Sequence, residues 1–424
     1  MTTSERATRI RASRPDIPAR PLSLSFIEFV TLIAALMALT ALAIDIMLPA
    51  LPQIASTFGV EKENDRQLVI ILYMAGFAVG QLLFGPLSDH FGRKPVLMLG
   101  LAIFILGTIG AILAGSFEML LLARIVQGVG AASPRIIAVA VVRDIYSGRQ
   151  MARVMSFAMM VFIMIPVFAP SIGQAVTLLS DWHWIFVVLL VMAVVAAIWS
   201  GMRLPETARP ALGVEQPMSL REALGAAILD PQTLGYGAAG GFMFGCLLAY
   251  VASAQQVFVE VFGMGDTFPV VFGALASAIA LASFANARLV GRLGMRRVSH
   301  TALLVFIGVS IPMAAAAALG MVGFWIFAVC MGVTFFLFGL IAPNFNALAM
   351  QPQGHNAGMA SSVIGSLGTA IAAIAGGIVG AAFDGSVWPI AAGFAACSII
   401  AGVIVLAIEG PKGLLGRNQP APVA

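Results

Sequence analysis

The sequence predicts an all-α membrane protein of twelve transmembrane helices, arranged as two six-helix bundles. Three observations carry that prediction. The chain is 60% hydrophobic and only 10% charged, with a mean hydropathy of +1.00. Water could not solvate such a surface in a soluble fold. Apolar stretches recur along the chain at the ~20 residues needed to cross a bilayer, joined mostly by short polar connections. The one long interior connection, residues 204–232, is rich in Pro and Glu and divides the stretches evenly.

Residues 1–25 hold Arg6, Arg9, Arg11, Arg14 and Arg20 among Ser and Pro, without an apolar run, and read as a disordered cytoplasmic tail. They do not read as a cleavable signal. The apolar segment that follows is too long for a signal core and ends in Pro-Ala-Leu-Pro. Spans are expected at 26–50, 67–87, 95–115, 118–141, 153–178, 184–203, 233–257, 268–291, 298–319, 322–349, 357–382 and 387–408. Six-span bundles then occupy 26–203 and 233–408, with a cytoplasmic linker at 204–232 and a C-terminal tail at 409–424.

Orientation follows from where the cations sit. The N-tail arginines lie on one side, with Arg93 and Lys94; Arg143, Arg149 and Arg153; Arg203, Arg209 and Arg221; Arg288, Arg292, Arg296 and Arg297; and Lys412 and Arg417. The opposite side holds only Lys62 and Arg66. Both termini are therefore expected in the cytoplasm, with the protein multi-pass in the membrane.

The connection between the second and third spans lies in GQLLFGPLSDHFGRKP, residues 80–95. It is expected as a tight hairpin elbow at the membrane surface. Gly85 and Gly92 supply positive φ and close backbone approach there, around a charged cluster of Asp89, Arg93 and Lys94. Leu289 to Gly294, followed by Met295, Arg296 and Arg297, repeats this elbow in the second half with Gly291 in place of Asp89. The second copy is thus expected as a cationic turn without its acid. Parallel repeats of this kind place a substrate site between the two halves, near the bilayer midplane.

Three ionisable residues fall well inside spans: Asp45, Arg124 and Arg135. Each costs a few kcal/mol at depth unless paired or hydrated. Asp45 and Arg124 lie at comparable depth in the outer half, where they could pair or compete for one proton. Proton coupling or cation binding by Asp45 stands against a permanent ion pair or an interfacial position. Arg135 lies on the same helical face as Arg124 and deeper. It either meets an anionic or carbonyl-rich partner or snorkels to the cytoplasm. Span 5 carries Pro166, Pro170 and Gly173 within two turns, which bends the helix and frees backbone carbonyls; Gln174 follows.

The second half holds no carboxylate at depth. Its polar groups are Tyr250, Ser253, Gln255 and Gln256 in span 7, Asn286 in span 8, and Asn344 and Asn346 beside Pro343 in span 10. A substrate cavity is expected from Tyr73, Arg135, Gln174, Tyr250, Gln255, Asn344 and Asn346. Ser361, Ser362, Ser366 and Thr369 of span 11, spaced with Gly358, Gly365 and Gly368, read better as small-residue helix packing. Abundant Phe and Met would suit an adaptable apolar pocket. Cys246, Cys330 and Cys397 read as apolar fillers, without a disulfide or metal site. His90, His183, His300 and His355 lie near loops or span ends. No P-loop, metal spacing or nucleophile–base arrangement appears, so neither an enzyme nor a cofactor is expected, and the charge balance does not favour nucleic acid. The expected partners are a small-molecule substrate, protons and the lipid bilayer, with the protein acting as a monomer.

The pattern Gly85-x-Leu87-x-Asp89-x-x-Gly92-Arg93-Lys94 resembles the signature loop between helices 2 and 3 of the major facilitator superfamily. Arg124-x-x-Gln127-Gly128-x-Gly130-Ala131-Ala132 resembles that superfamily's span-4 motif, whose arginine is implicated in proton coupling. Ala169-Pro170-x-x-Gly173 matches its antiporter motif in part, with alanine for the leading glycine and Gln174 for the last one. The finer resemblance is to the drug:proton antiporter group of Bcr/CflA type. It rests on Asp45-Ile-Met-Leu-Pro-Ala-Leu-Pro-Gln53-Ile-Ala, Arg143-Asp144-Ile-Tyr146 and Asp181-Trp182-His-Trp184-Ile-Phe186. It implies a major facilitator fold and an exporter exchanging protons for a small amphipathic compound. By the same resemblance Asp45 and Arg124 are the coupling residues, and Gly85, Asp89, Gly92, Arg93 and Lys94 form a conformational latch. Two rivals stay open: a proton-coupled importer of a metabolite, and a non-transporting membrane sensor.

Overall fold

A computed structural model describes residues 24–146, 148–207, 220–265, 267–353 and 357–413. Most of the expected N-tail, the middle of the linker, the C-tail beyond 413, and Arg209, His355 and Arg417 lie outside the described residues.

The described chain is helical, without a strand. The helices are α1 (Phe26–Asp45), α2 (Leu51–Phe58), α3 (Leu68–Phe91), α4 (Arg93–Ile112), α5 (Phe117–Ile145), α6 (Gly148–Leu179) and α7 (His183–Arg203). After the linker come α8 (Leu220–Leu229), α9 (Pro231–Gln255), α10 (Phe268–Leu293), α11 (Met295–Ala318), α12 (Phe324–Met350), α13 (Ala357–Ala381) and α14 (Trp388–Gly413). Eleven helical stretches among the described residues are long and apolar enough to cross a membrane. The span expected at 153–178 lies in α6, whose apolar stretch Met164–Leu179 is shorter. Side chains such as Leu106, Val191 and Trp325 stay exposed, as a lipid-facing belt requires.

Three local outcomes differ from the sequence reading. The first span is not one helix. Pro49 has no N–H to give the Asp45 carbonyl, so α1 stops at Asp45 and the chain passes through a 3₁₀ turn, Leu48–Ala50, into α2. The elbow is shorter than expected: α3 stays helical to Phe91, and only Gly92, at φ 99°, turns the chain into α4. Gly85 is therefore helical and supplies no positive φ. The linker, read only as a connection rich in Pro and Glu, contains α8.

Glycines set how closely the helices approach. A Cβ at Gly128 would collide with the Tyr73 carbonyl on α3, and one at Gly130 with the backbone of Phe104 on α4. The span-4 strip is thus flush against two neighbours at once. Across the two sequence halves, α3 lies on α13 and α6 on α10. Gly365 meets Gln81, Thr369 donates to Gln81 Oε1 at 3.2 Å, and Gly368 lies against Gly241, so span 11 uses its small residues for packing. The cysteines are free.

Candidate functional site

The break after α1 leaves carbonyls of its last turn without helical donors. Met47 N–H bonds the Ile44 carbonyl instead of that of Ala43. Arg124, fully buried on α5, fills the gap: its Nη2 donates to the Ala43 carbonyl at 3.0 Å. Its Nε donates to the Val69 carbonyl of α3 at 2.9 Å and its Nη1 to Gln127 Oε1, while Gln127 donates to Thr108 of α4 at 2.8 Å. The guanidinium lies 4.3 Å from the Tyr73 ring centroid, a cation–π contact strengthened by the dry surroundings. Tyr73 OH in turn donates to the Thr40 carbonyl at 3.1 Å. One arginine thereby ties α1, α3 and α5 together, with α4 joined through Gln127.

Asp45 follows Ala43 by two residues and is 5% exposed. No hydrogen bond or ion pair joins it to Arg124 or to any other described residue. The direct pair considered from depth alone is therefore absent, because the guanidinium's donors are aimed at two backbone carbonyls and at Gln127. Asp45 is within electrostatic reach of Tyr73 on α3 and of Tyr250 on α9, across the two sequence halves. Tyr250 is buried in an aromatic cage, stacked on Phe272 at 5.3 Å and edge-on to Phe335 at 4.7 Å.

The span-5 motif meets the same place. A Cβ on Gly173 would collide with the Ile46 carbonyl and stand 3.3 Å from Pro49 Cδ, so α6 lies directly on the break. Pro166 and Pro170 both lie within α6, and Gln174 is half-buried one residue beyond Gly173. Arg135 turns inward, with its guanidinium 5.8 Å from the Phe77 ring centroid in the middle of α3, and does not snorkel. Asn344 is buried and donates to Asn286 Oδ1 at 2.7 Å, whereas Asn346 is exposed and does not join it. Gln255 is buried at the end of α9.

The latch residues gather at the end of the bundle where the described chain begins and ends. Arg93 donates to Asp89 Oδ1 at 2.5 Å, Ser88 Oγ at 2.8 Å and Asp144 Oδ2 at 2.9 Å. Glu206 accepts from the N–H groups of Arg93 and Lys94 at 2.8 and 3.0 Å, which caps α4 with a carboxylate at the positive end of its dipole. Gly85 leaves room for Ser362 of α13, and Asp89 Oδ2 lies 3.3 Å from the position a Cβ on Gly358 would take. The acid thus faces the first turn of a helix from the other sequence half.

Sequence reading missed Glu206, although its place at the end of span 6, just before the linker, was a usable signal. The repeat offers a second correction. Gly294, at φ 84°, turns as Gly92 does, but its loop is not left without an acid. Glu409 at the end of α14 accepts from Arg296 Nε and from Tyr236 OH, both at 2.7 Å, and Tyr236 OH lies 2.9 Å from His300 Nε2. The missing carboxylate is supplied from the end of the last span.

At the far end, the 3₁₀ turn Glu63–Gln67 bridges the sequence halves. Arg66 pairs with Glu260, Gln67 bonds Gln256, and Gln256 donates to Asn64 Oδ1 at 2.9 Å. Asn64 donates to the Ala381 and Phe383 carbonyls at 3.1 and 2.8 Å. Beside this seam is a cavity of about 630 Å³ bordered by Lys62, Asp65, Glu260 and Asp384. Lys62 and Arg66 had counted only as orientation charges.

Residues 33–376 match the family model described as Major Facilitator Superfamily. The chain belongs to the Major Facilitator Superfamily. It is accordingly a membrane transporter of small molecules and not an enzyme. It is similar to the bicyclomycin resistance protein homolog of Haemophilus influenzae, at 31% identity over 88% of this chain and 94% of that protein. It is also similar to the multidrug resistance protein MdtL of Klebsiella pneumoniae, at 27% identity over 89% and 95% of the two chains. The crystal structure of the human organic anion transporter MFSD10 (TETRAN) shares the superfamily fold, with a TM-score of 0.62 at 17% identity, covering 89% of this chain and 97% of that one.

Proposed function

We propose that this transporter is a proton-coupled antiporter that exports small amphipathic compounds across the bacterial inner membrane by alternating access. The observation that carries the reading is a buried carboxylate, Asp45, with no partner beside an arginine whose donors are engaged elsewhere. A permanently neutralised acid would be silent; an unpartnered one at depth is the group a functional role would explain. The bicyclomycin and multidrug resistance relatives support export of drug-like compounds, and the partial antiporter motif on the α1 break supports exchange.

In this reading twelve helices form two bundles, 26–203 and 233–408, joined by the 204–232 linker, with both termini cytoplasmic and the monomer as the working unit. The Arg66–Glu260 seam then closes the periplasmic side. Asp89 against the first turn of α13 holds the cytoplasmic side, as carboxylates do at helix N-termini. Proton binding at Asp45 and cargo binding between the bundles alternate in biasing which side opens.

In everted vesicles acidified inside by respiration, addition of bicyclomycin or another apolar antibiotic that is a substrate should release protons from the lumen. Uptake of the same compound by intact cells, with inward proton flow, would replace export by import. The periplasmic seam makes its own prediction. Arg66→Glu should raise maleimide labelling of a cysteine placed at Phe383 in intact cells about tenfold, the effect of ~1.4 kcal/mol. Combining it with Glu260→Arg should restore the low rate, and an unchanged rate in the single variant would remove the seam from gating.

A further inference from the structure

Three buried polar atoms without a hydrogen-bond partner, Tyr250 OH, Ser253 Oγ and Gln255 Oε1, lie together near the end of α9, the helix that packs on the Leu48–Ala50 turn. Gln53 Oε1 is another, on α2 just after that turn. Proteins rarely keep such groups unless another state or a ligand uses them. Tyr250, the titratable group among them, is within electrostatic reach of Asp45.

The other ionisable groups around Asp45 are committed. Tyr73 OH donates to the Thr40 carbonyl, Arg124 to Ala43, Val69 and Gln127, and Arg135 lies over Phe77. Residues 164–179 of α6, which lie on the break, bring no titratable side chain. His183 at the start of α7 pairs with Asp181. The Tyr250 hydroxyl is a free donor, and its ring is fixed by Phe272 and Phe335. α9 packs on the Leu48–Ala50 turn that follows Asp45, so movement of α9 against α1 changes the separation of hydroxyl and carboxylate.

We propose that Tyr250 is the positioning residue through which the second half of the protein reads the protonation state of Asp45. Its hydroxyl donates to the carboxylate once the proton has left, and it loses that partner when the proton returns. The inference rests on the coupling role of Asp45 in the proposed function. It makes the proton's departure draw α9 toward α1, so that one chemical event biases the contact between bundles. The hydrogen bond is charge-assisted, the stronger class of such bonds.

Dicyclohexylcarbodiimide reacts with protonated carboxyl groups in apolar surroundings. Its rate of attachment to Asp45 in the purified full chain, followed by mass spectrometry across pH, therefore titrates that group without any transported compound. Tyr250→Phe keeps the ring in its cage and should fold as a monodisperse protein. It should move the labelling midpoint upward by about 1 to 2 pH units, as loss of a hydrogen bond to a charged group implies. Ser253→Ala should leave the midpoint in place. An unmoved midpoint in Tyr250→Phe overturns the proposal while leaving Asp45 as the proton site. Labelling independent of pH in the unmodified protein overturns the coupling reading itself, and this inference with it.

Discussion

Lysine in place of Arg124 is expected to reduce transport per folded molecule at least ~10-fold and to lower the yield of folded protein. The cause is geometric. The guanidinium sends donors in three directions, to the Ala43 carbonyl of α1, the Val69 carbonyl of α3 and Gln127 of its own helix, while its plane covers the Tyr73 ring. An ammonium on a flexible stem cannot reach α1 and α3 together, nor stack. Each buried carbonyl left bare costs about 1–3 kcal/mol, so two of them cost roughly 2–6 kcal/mol. The Ala43 carbonyl matters most, because it belongs to the last turn of a helix and has no backbone donor to return to. Size-exclusion yield and transport per folded molecule check this; lysine performing like arginine would reduce Arg124 to a simple positive charge.

Asp45→Asn is expected to abolish proton-driven export while leaving exchange of cargo for cargo. The amide nearly matches the carboxyl in shape, and the acid makes no hydrogen bond or ion pair that the change would break. The α1 break, the Gly173 contact and the Arg124 anchor should all survive. What is lost is the ability to alternate between neutral and charged forms at depth. Export down an imposed pH gradient should fall to the rate of empty vesicles, with counterflow retained within about twofold. Loss of both activities would make Asp45 a structural or cargo-binding residue.

Much of this was legible in the chain. Composition and span length give the helical membrane architecture, and the Gly85 to Lys94 elbow with the Arg124 strip gives the family. Sequence also marked Asp45 and Arg124 as the ionisable pair at depth. It did not show that they avoid each other, because that follows from the α1 break: the helix ends before Pro49, Met47 N–H turns to the Ile44 carbonyl, the Ala43 carbonyl is left open, and Arg124 is drawn to it instead of to Asp45. Nor did it show Glu206 and Glu409 reaching back to the elbows, since those contacts cross about a hundred residues of chain and leave no periodicity. The seam at Arg66 was hidden for the same reason, as its partners Glu260 and Phe383 come from the helical turn after α9 and the loop after α13. Asn344 and Asn346, two residues apart in sequence, part company because two helical steps carry them to opposite faces.

The most direct test is to add an exported compound to the purified transporter in weak buffer and count the protons that appear. The natural protein should release about one proton per bound molecule, because cargo and proton compete through linked states of a single carboxyl, and Asp45→Asn should release none. Equal release from the two proteins would place the proton elsewhere and contradict the role assigned to Asp45.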